Sequence, residues 1–149
     1  MHQPPQSTFA NSGRRLALRC LVVYWLLLIL GTHWPQDLLA GAGQLMPSDK
    51  RLHFMAYAGL AGLLAVVLML RNDRSERPAK RIRPVLFWSL VALAVAVAFG
   101  LVDEATQPWT GRDFEWADWW ADICGATAGA AVAVLAIWLR MLSASAKAR

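Results

Sequence analysis

The chain has 149 residues, of which 57% are hydrophobic, and a formal net charge of +5. Its mean hydropathy is +0.38, and the apolar residues occur in long blocks instead of the periodic stripes of a water-soluble fold. The composition therefore excludes an ordinary soluble domain and indicates a bilayer protein. The positive charge does not indicate nucleic-acid binding, because the basic residues flank the apolar blocks.

Four apolar blocks follow one another along the chain, and each has about the 17–25 residues that cross a bilayer as a helix. They cover residues 16–33, 52–70, 85–102 and 120–139. Because lipid cannot hydrogen-bond the backbone, these blocks must be helical. The sequence predicts an all-α, integral membrane four-helix bundle over residues 14–142, with a disordered cytoplasmic tail at 1–13 and a second cytoplasmic tail at 143–149.

Basic residues mark one side of the predicted bundle. They lie in the N-terminal tail and first block, in and beside the loop between the second and third blocks, and after the fourth block, as Arg14, Arg15, Arg19, Arg71, Arg74, Arg77, Lys80, Arg81, Arg83, Arg140, Lys147 and Arg149. The positive-inside rule places both termini in the cytoplasm, an N-in/C-in topology, and the other two loops outside. The tryptophans predicted at the outer interface are Trp34, Trp109, Trp116, Trp119 and Trp120.

The two cysteines, Cys20 and Cys124, are predicted near opposite faces of the bilayer. Their Cα atoms would then be much farther apart than the ~7 Å that a disulfide permits. The sequence therefore predicts no disulfide and no zinc cluster, and it suggests no cofactor and no bound metal.

Ionisable side chains gather at the predicted outer ends of the second and third helices. Asp49 and His53 are four residues apart and share a face where the second helix begins. Asp103, Glu104 and Gln107 lie where the third helix ends. Acids at a helix C terminus face the negative end of the macrodipole, which disfavours them by up to about 1 kcal/mol. Both acids therefore need a compensating cation.

Three basic residues, Lys50, Arg51 and Arg112, border this position and are the predicted source of that cation. The charges from three helix ends are expected to converge on one partly buried, paired cluster. The candidate ligand-binding residues of this cluster are Asp49, Lys50, His53, Asp103, Glu104, Gln107, Arg112, Asp118 and Asp122. Two interpretations stay open, namely a functional site and a latch that only ties the helix ends together.

The start of the fourth helix combines acids with small residues. Asp118, Asp122, Gly125 and Gly129 fall close to one line along the helix. The two glycines predict a close helix contact, which is how spans associate in lipid. The partner of this seam is either another helix of the same chain or a second copy, so the oligomeric state stays open.

Four segments resemble the VanZ-like membrane protein family in order and spacing. They are DKRLHFMAYAGLAG at 49–62, DEATQ at 103–107, GR at 111–112 and DWWADICGATAG at 118–129. The resemblance implies a multi-pass protein of the bacterial cytoplasmic (inner) membrane, and its founding member is associated with low-level resistance to teicoplanin. It implies no established reaction. One departure is Asp122, where family members often carry asparagine.

The polar cluster is compatible with a binding or accessory protein of the cell envelope. The N termini of two helices, together with Lys50, Arg51 and Arg112, would hold an anionic lipid headgroup or a glycopeptide. If the cluster is instead only a latch, the protein would be a structural subunit of an envelope complex.

The alternative is a membrane enzyme that acts on a lipid-linked phosphate or sugar. Its candidate catalytic residues are His53 and Glu104, either of which would act as general base. Asp118 and Asp122, one helical turn apart, would be the ligands of a divalent ion if the reaction needed one. The sequence contains no nucleophile elbow, no HExxH motif and no phosphate-binding glycine loop, which weighs against this alternative.

Overall fold

The computed structural model describes residues 6–34, 48–71 and 82–147 of the chain. These ranges form four α-helices, α1 (Gln6–Thr32), α2 (Asp49–Arg71), α3 (Ile82–Thr106) and α4 (Trp116–Lys147), and a 3₁₀ helix (Gln107–Thr110). Each of the four α-helices is long and apolar enough to cross a membrane. The prediction of an all-α protein with four helices of membrane-spanning length is therefore confirmed.

The helices continue beyond the predicted spans. α1 begins at Gln6, so residues 6–13 are helical where the sequence predicts a disordered tail. Glycine is absent from this stretch until its last position and proline is absent throughout, and extending an existing helix adds one hydrogen bond for each residue fixed. α4 runs on to Lys147, through most of the predicted C-terminal tail, and the hydroxyls of Ser143 and Ser145 bond to helix carbonyls four residues earlier.

Small side chains form most of the contact between helices. α2, α3 and α4 pack against one another, and α1 packs mainly against α2. The buried alanines are Ala61, Ala65, Ala92, Ala96, Ala126, Ala130 and Ala133. Lipid is as apolar as leucine, so helices in a membrane associate through close van der Waals packing, which small residues allow. Large apolar side chains lie on the outside of the bundle, where they suit contact with lipid.

The glycine seam of α4 packs against α2. A side chain at Gly125 would overlap the backbone of Phe54, and one at Gly129 would overlap the backbone of Ala58. Gly62 faces the same seam one turn farther along α2. The seam therefore has its partner within the same chain, and this contact fixes how Asp118 and Asp122 of α4 face α2.

The C-terminal half of α1 is held beside α2 and α3. The Tyr24 hydroxyl donates a hydrogen bond to the Ala56 carbonyl oxygen at 2.8 Å, and Gly59 leaves space for the tyrosine ring. Trp25 packs edge-on against Phe99 of α3, with 5.2 Å between ring centroids. These contacts bring the end of α1 next to the end of α3.

We call the end of the bundle where α1 and α3 finish and α2 and α4 begin the polar end. Here the chain turns directly from α3 towards α4. Pro108 has no N–H to continue the α-helix, and the 3₁₀ helix closes at Gly111, whose φ of +78° suits glycine. The N–H of Arg112 bonds to the Gln107 carbonyl at 3.4 Å, which directs Arg112 back over the bundle.

A buried cluster of acids and histidine at the polar end

The structure places the nine side chains of the predicted binding site at the polar end. Seven of them are at most 8% exposed, namely His53, Asp103, Glu104, Gln107, Arg112, Asp118 and Asp122. The other two, Asp49 and Lys50, have side chains that are 44% and 53% exposed. We call these nine residues the polar-end cluster.

The first part of this cluster lies close to the helix ends and contains its Lys and Arg side chains. We call it the rim group and include in it Asp49, Lys50, Arg112 and Asp118, together with Glu115, which is not one of the nine but contacts Lys50. The Arg112 Nη2 atom donates to Asp49 Oδ2 at 2.8 Å. The Lys50 Nζ atom lies 3.2 Å from both Glu115 Oε2 and Asp118 Oδ1. Each cation of the rim group is therefore already paired with an acid of the same group.

Gln107 connects the rim group to the residues beneath it. Its amide nitrogen donates to Glu104 Oε1 at 2.8 Å, and its amide oxygen accepts a hydrogen bond from Arg112 Nε at 3.1 Å. An amide suits this position because it offers a donor to a carboxylate and an acceptor to a guanidinium. Gln107 thereby holds Glu104 and Arg112 in a fixed relation.

The second part of the cluster is fully enclosed. We call it the deep group and include in it His53, Asp103, Glu104 and Asp122, which are at most 3% exposed. The His53 Nδ1 atom lies 2.9 Å from Asp122 Oδ1 and 3.6 Å from Glu104 Oε1. The second oxygen of Glu104 accepts a hydrogen bond from the backbone N–H of Glu115 at 3.1 Å. Three helices, α2, α3 and α4, thus meet at one imidazole.

Two residues at the end of α1, Thr32 and His33, contact the deep group, and the sequence alone does not predict their part in it. Thr32 Oγ1 donates to Asp103 Oδ1 at 2.9 Å, and His33 Nδ1 lies 3.5 Å from the same oxygen. The other ring nitrogen of His33 lies 2.9 Å from Thr106 Oγ1. The signal in the sequence is the polar pair Thr32-His33 at the end of the first apolar block, at the same predicted depth as Asp103.

Tyr57 also lies beside the cluster, and the sequence alone does not predict its part in it. It lies one helical turn after His53 on the same face of α2 and is fully buried. Within the described ranges its hydroxyl has no hydrogen-bond partner, and neither do Asp103 Oδ2 and Asp122 Oδ2. A Cβ atom at Gly100 would lie 3.0 Å from Asp122 Oδ2 and 3.1 Å from a Tyr57 ring carbon, so glycine leaves space for both groups.

The structure corrects the predicted pairing of the acids at the end of α3. Asp103 and Glu104 were expected to pair with Lys50, Arg51 or Arg112. In the part of the chain that the structure describes, the side chains within 4 Å of these two carboxylates that are able to carry a positive charge are histidines. The reason is depth, because Lys50 and Arg112 meet the rim acids first, and Arg51 is exposed.

Asp118 and Asp122 also have different surroundings. Asp118 faces Lys50 in the rim group, whereas Asp122 faces His53 in the deep group. The structure offers two sets of potential metal ligands, Asp49 with His53 and Asp118, and His53 with Glu104 and Asp122. The two aspartates thus belong to different sets, in contrast to the pair that the sequence suggests.

Comparison of the chain with protein-family models, with curated proteins and with solved structures finds no match in any of the three. The resemblance to the VanZ-like family therefore depends on the quoted segments alone. The geometry of the polar-end cluster has to carry the functional argument.

Proposed function

We propose that the protein is a VanZ-like cell-envelope protein of the bacterial cytoplasmic membrane, which influences susceptibility to teicoplanin through the polar-end cluster. Under this proposal both termini are cytoplasmic and the polar end faces outward. Support for the orientation comes from the basic residues, which flank the helix ends opposite to the cluster.

The observation that carries the proposal is the set of unpaired polar atoms in the deep group. Burying a carboxylate without full hydrogen bonding costs free energy, and a purely structural latch gains nothing from it. Asp103 Oδ2, Asp122 Oδ2 and the Tyr57 hydroxyl have no hydrogen-bond partner among the described residues, and in the rim group the same is true of Asp118 Oδ1. Groups held in this way are typical of a site that binds something.

The charge of the cluster indicates what kind of group would bind. Arg112 and Lys50 are already paired with rim acids, so neither is free to receive a phosphate. The deep group has three carboxylates, and the ion-pair partners that the described residues provide for them are histidines. A positively charged group therefore fits this cluster better than the anionic headgroup expected from the sequence.

The proposal is tested by measuring teicoplanin and vancomycin susceptibility of a Gram-positive host that expresses the protein. Wild type is expected to raise the inhibitory concentration of teicoplanin. Glu104→Gln, which removes one charge from the deep group with little change of shape, is expected to lose this protection. The matched control is Asp113→Asn, an exposed acid of the same loop region, which is expected to retain it. Equal protection by both variants at equal expression would contradict a role for the cluster.

The proposed orientation gives a separate prediction. In a chain whose two native cysteines are replaced by alanine, Asp113→Cys at the polar end is expected to react with a membrane-impermeant maleimide added to intact cells. Ser145→Cys, which is exposed near the other end of α4, is expected to react only after permeabilisation. The reverse pattern of labelling would place the polar end in the cytoplasm and overturn the topology.

One observation favours the enzymatic alternative, a reaction on a lipid-linked phosphate or sugar. His53 lies against Asp122 at 2.9 Å, an arrangement in which a carboxylate orients an imidazole that acts as general base. Turnover of such a lipid by the purified protein, lost in His53→Gln, would select this alternative over simple binding.

A further inference from the structure

We propose that His53, Glu104 and Asp122 form a binding site for one divalent transition-metal cation, with Zn²⁺ and Mn²⁺ as the ions that suit it best. The inference rests on the proposed function, because it assigns a ligand to the same cluster. Its test uses purified protein and no measurement of susceptibility, so either can fail without the other.

The spacing of three side-chain atoms is the first argument. His53, Glu104 and Asp122 each offer one ligand atom, a ring nitrogen or a carboxylate oxygen, and these three atoms all lie within 4.8 Å of one another. The distances from the imidazole nitrogen are 2.9 Å to Asp122 Oδ1 and 3.6 Å to Glu104 Oε1. When metal–ligand bonds measure ~2.0–2.2 Å, neighbouring ligand atoms are about 3–3.5 Å apart. The three atoms therefore need little movement to coordinate one ion.

The second argument is the unpaired oxygen of Asp122. This side chain is completely buried and its Oδ2 atom has no hydrogen-bond partner among the described residues. Within the same ranges no Lys or Arg side chain forms an ion pair with Glu104 or Asp122. A divalent cation would supply the positive charge that these buried carboxylates lack.

The rim group does not compete for the same ion. The second potential ligand set, Asp49, His53 and Asp118, shares the imidazole of His53. Each of its two carboxylates already has a cation beside it, with Arg112 Nη2 2.8 Å from Asp49 Oδ2 and Lys50 Nζ 3.2 Å from Asp118 Oδ1. The chain thus provides its own cations at the rim and leaves the deep set without one, so the deep set is the one that we assign to the metal.

The surrounding hydrogen bonds keep Glu104 in place. Gln107 Nε2 donates to its Oε1 atom and the Glu115 backbone N–H donates to its Oε2 atom. Such contacts to a ligating carboxylate orient it and support affinity. The combination of one imidazole with two carboxylates favours Zn²⁺ or Mn²⁺ over Ca²⁺ or Mg²⁺, which prefer oxygen ligands alone.

The test uses the full chain, purified in detergent with a tag that lacks histidine and stripped with EDTA. Zn²⁺, Mn²⁺, Mg²⁺ and Ca²⁺ are added separately, and the melting temperature and the metal retained per chain are measured. Wild type is expected to retain about one equivalent of Zn²⁺ or Mn²⁺ and to melt at a higher temperature with it. Asp122→Asn is expected to bind at least about 100-fold more weakly.

Two further variants separate the deep set from the rim. Asp118→Asn removes a ligand of the rim set only, so it is expected to weaken binding much less than Asp122→Asn does. Asp113→Asn removes an exposed acid that belongs to neither set and is expected to bind as wild type does. Glu104→Gln provides a second ligand variant, and size-exclusion chromatography shows which variants are folded. No retained metal and no rise in melting temperature for folded wild type would overturn the proposal. So would a loss of affinity in Asp118→Asn as large as that in Asp122→Asn, or tighter binding of Mg²⁺ or Ca²⁺.

Discussion

Asp122→Asn is expected to raise the stability of the metal-free protein, by about 1–2 kcal/mol, because it removes a buried charge whose burial costs several kcal/mol. Asparagine keeps an oxygen that can accept a hydrogen bond from His53 Nδ1, the atom 2.9 Å from the present carboxylate. It also lowers the repulsion among the three acids of the deep group. Thermal unfolding in detergent with EDTA measures the change, and addition of Zn²⁺ is expected to stabilise wild type but not the variant.

This prediction separates a binding site from a latch. If the charge of Asp122 serves to hold α4 against α2 through His53, its removal lowers the melting temperature in EDTA. A drop of that kind would contradict the interpretation that the deep group is kept for function. The control is Asp113→Asn, which removes the same charge from an exposed position and is expected to leave the melting temperature unchanged.

Arg112→Ala is expected to have the opposite effect and to destabilise the protein by about 2–4 kcal/mol, because the partners of a buried charge lose their hydrogen bonds. The Arg112 side chain is 7% exposed and contacts Gln107 Oε1 and Asp49 Oδ2. Its loss leaves the buried oxygen of Gln107 without a partner and releases the turn between α3 and α4. Chemical or thermal unfolding in detergent measures the effect.

Two further variants show whether the loss of stability in Arg112→Ala comes from the lost hydrogen-bond geometry or from the lost charge. Arg112→Lys keeps the charge, but a lysine ammonium lacks the planar guanidinium that donates to two acceptors at once. The Arg112→Lys protein is therefore expected to be little more stable than the Arg112→Ala protein. Lys50→Ala removes a cation from the same rim group, where it faces both Glu115 and the buried Asp118. Because the Lys50 side chain is 53% exposed, water screens these pairs, and the loss is expected to be smaller than for Arg112→Ala. A loss for Lys50→Ala equal to that for Arg112→Ala would show that net charge at the polar end matters more than the buried hydrogen bonds.

The two predictions have opposite signs because the two groups of the cluster differ in how completely they are paired. In the rim group, Arg112 and Lys50 place a positive charge 2.8 to 3.2 Å from the carboxylate oxygens of Asp49, Glu115 and Asp118, although Asp118 Oδ1 accepts no hydrogen bond from the described residues. In the deep group, Asp103 and Asp122 each keep an oxygen without a partner in the described ranges. Removing a member of a paired group lowers the stability of the fold. Removing a charge from an underpaired group reduces the cost of burying that charge and its repulsion by the neighbouring acids, which otherwise only a bound ligand would reduce.

Local patterns were sufficient for the helices and for the faces that they present. Four apolar blocks predict four helices of spanning length, because a backbone in lipid has to satisfy its own hydrogen bonds. The four-residue spacing of Asp49 and His53, and of Asp118 and Asp122, predicts which side chains share a face. The helix ends were less predictable, because hydropathy marks where apolar residues stop, and α1 and α4 continue into polar sequence.

By itself, then, the sequence determined that most of the acids, together with His53 and Arg112, gather at one end of a bundle of four helices of membrane-spanning length. Only the tertiary structure decided which of them touch. His53 and Asp122 are 69 positions apart, and Thr32 and Asp103 are 71 apart, so no periodicity within a helix relates them. Their contacts depend on how closely α2 approaches α4 at Gly125 and Gly129, and on where Tyr24 holds α1. That packing pairs the Lys and Arg side chains with the rim acids and leaves the deep acids to histidine and threonine.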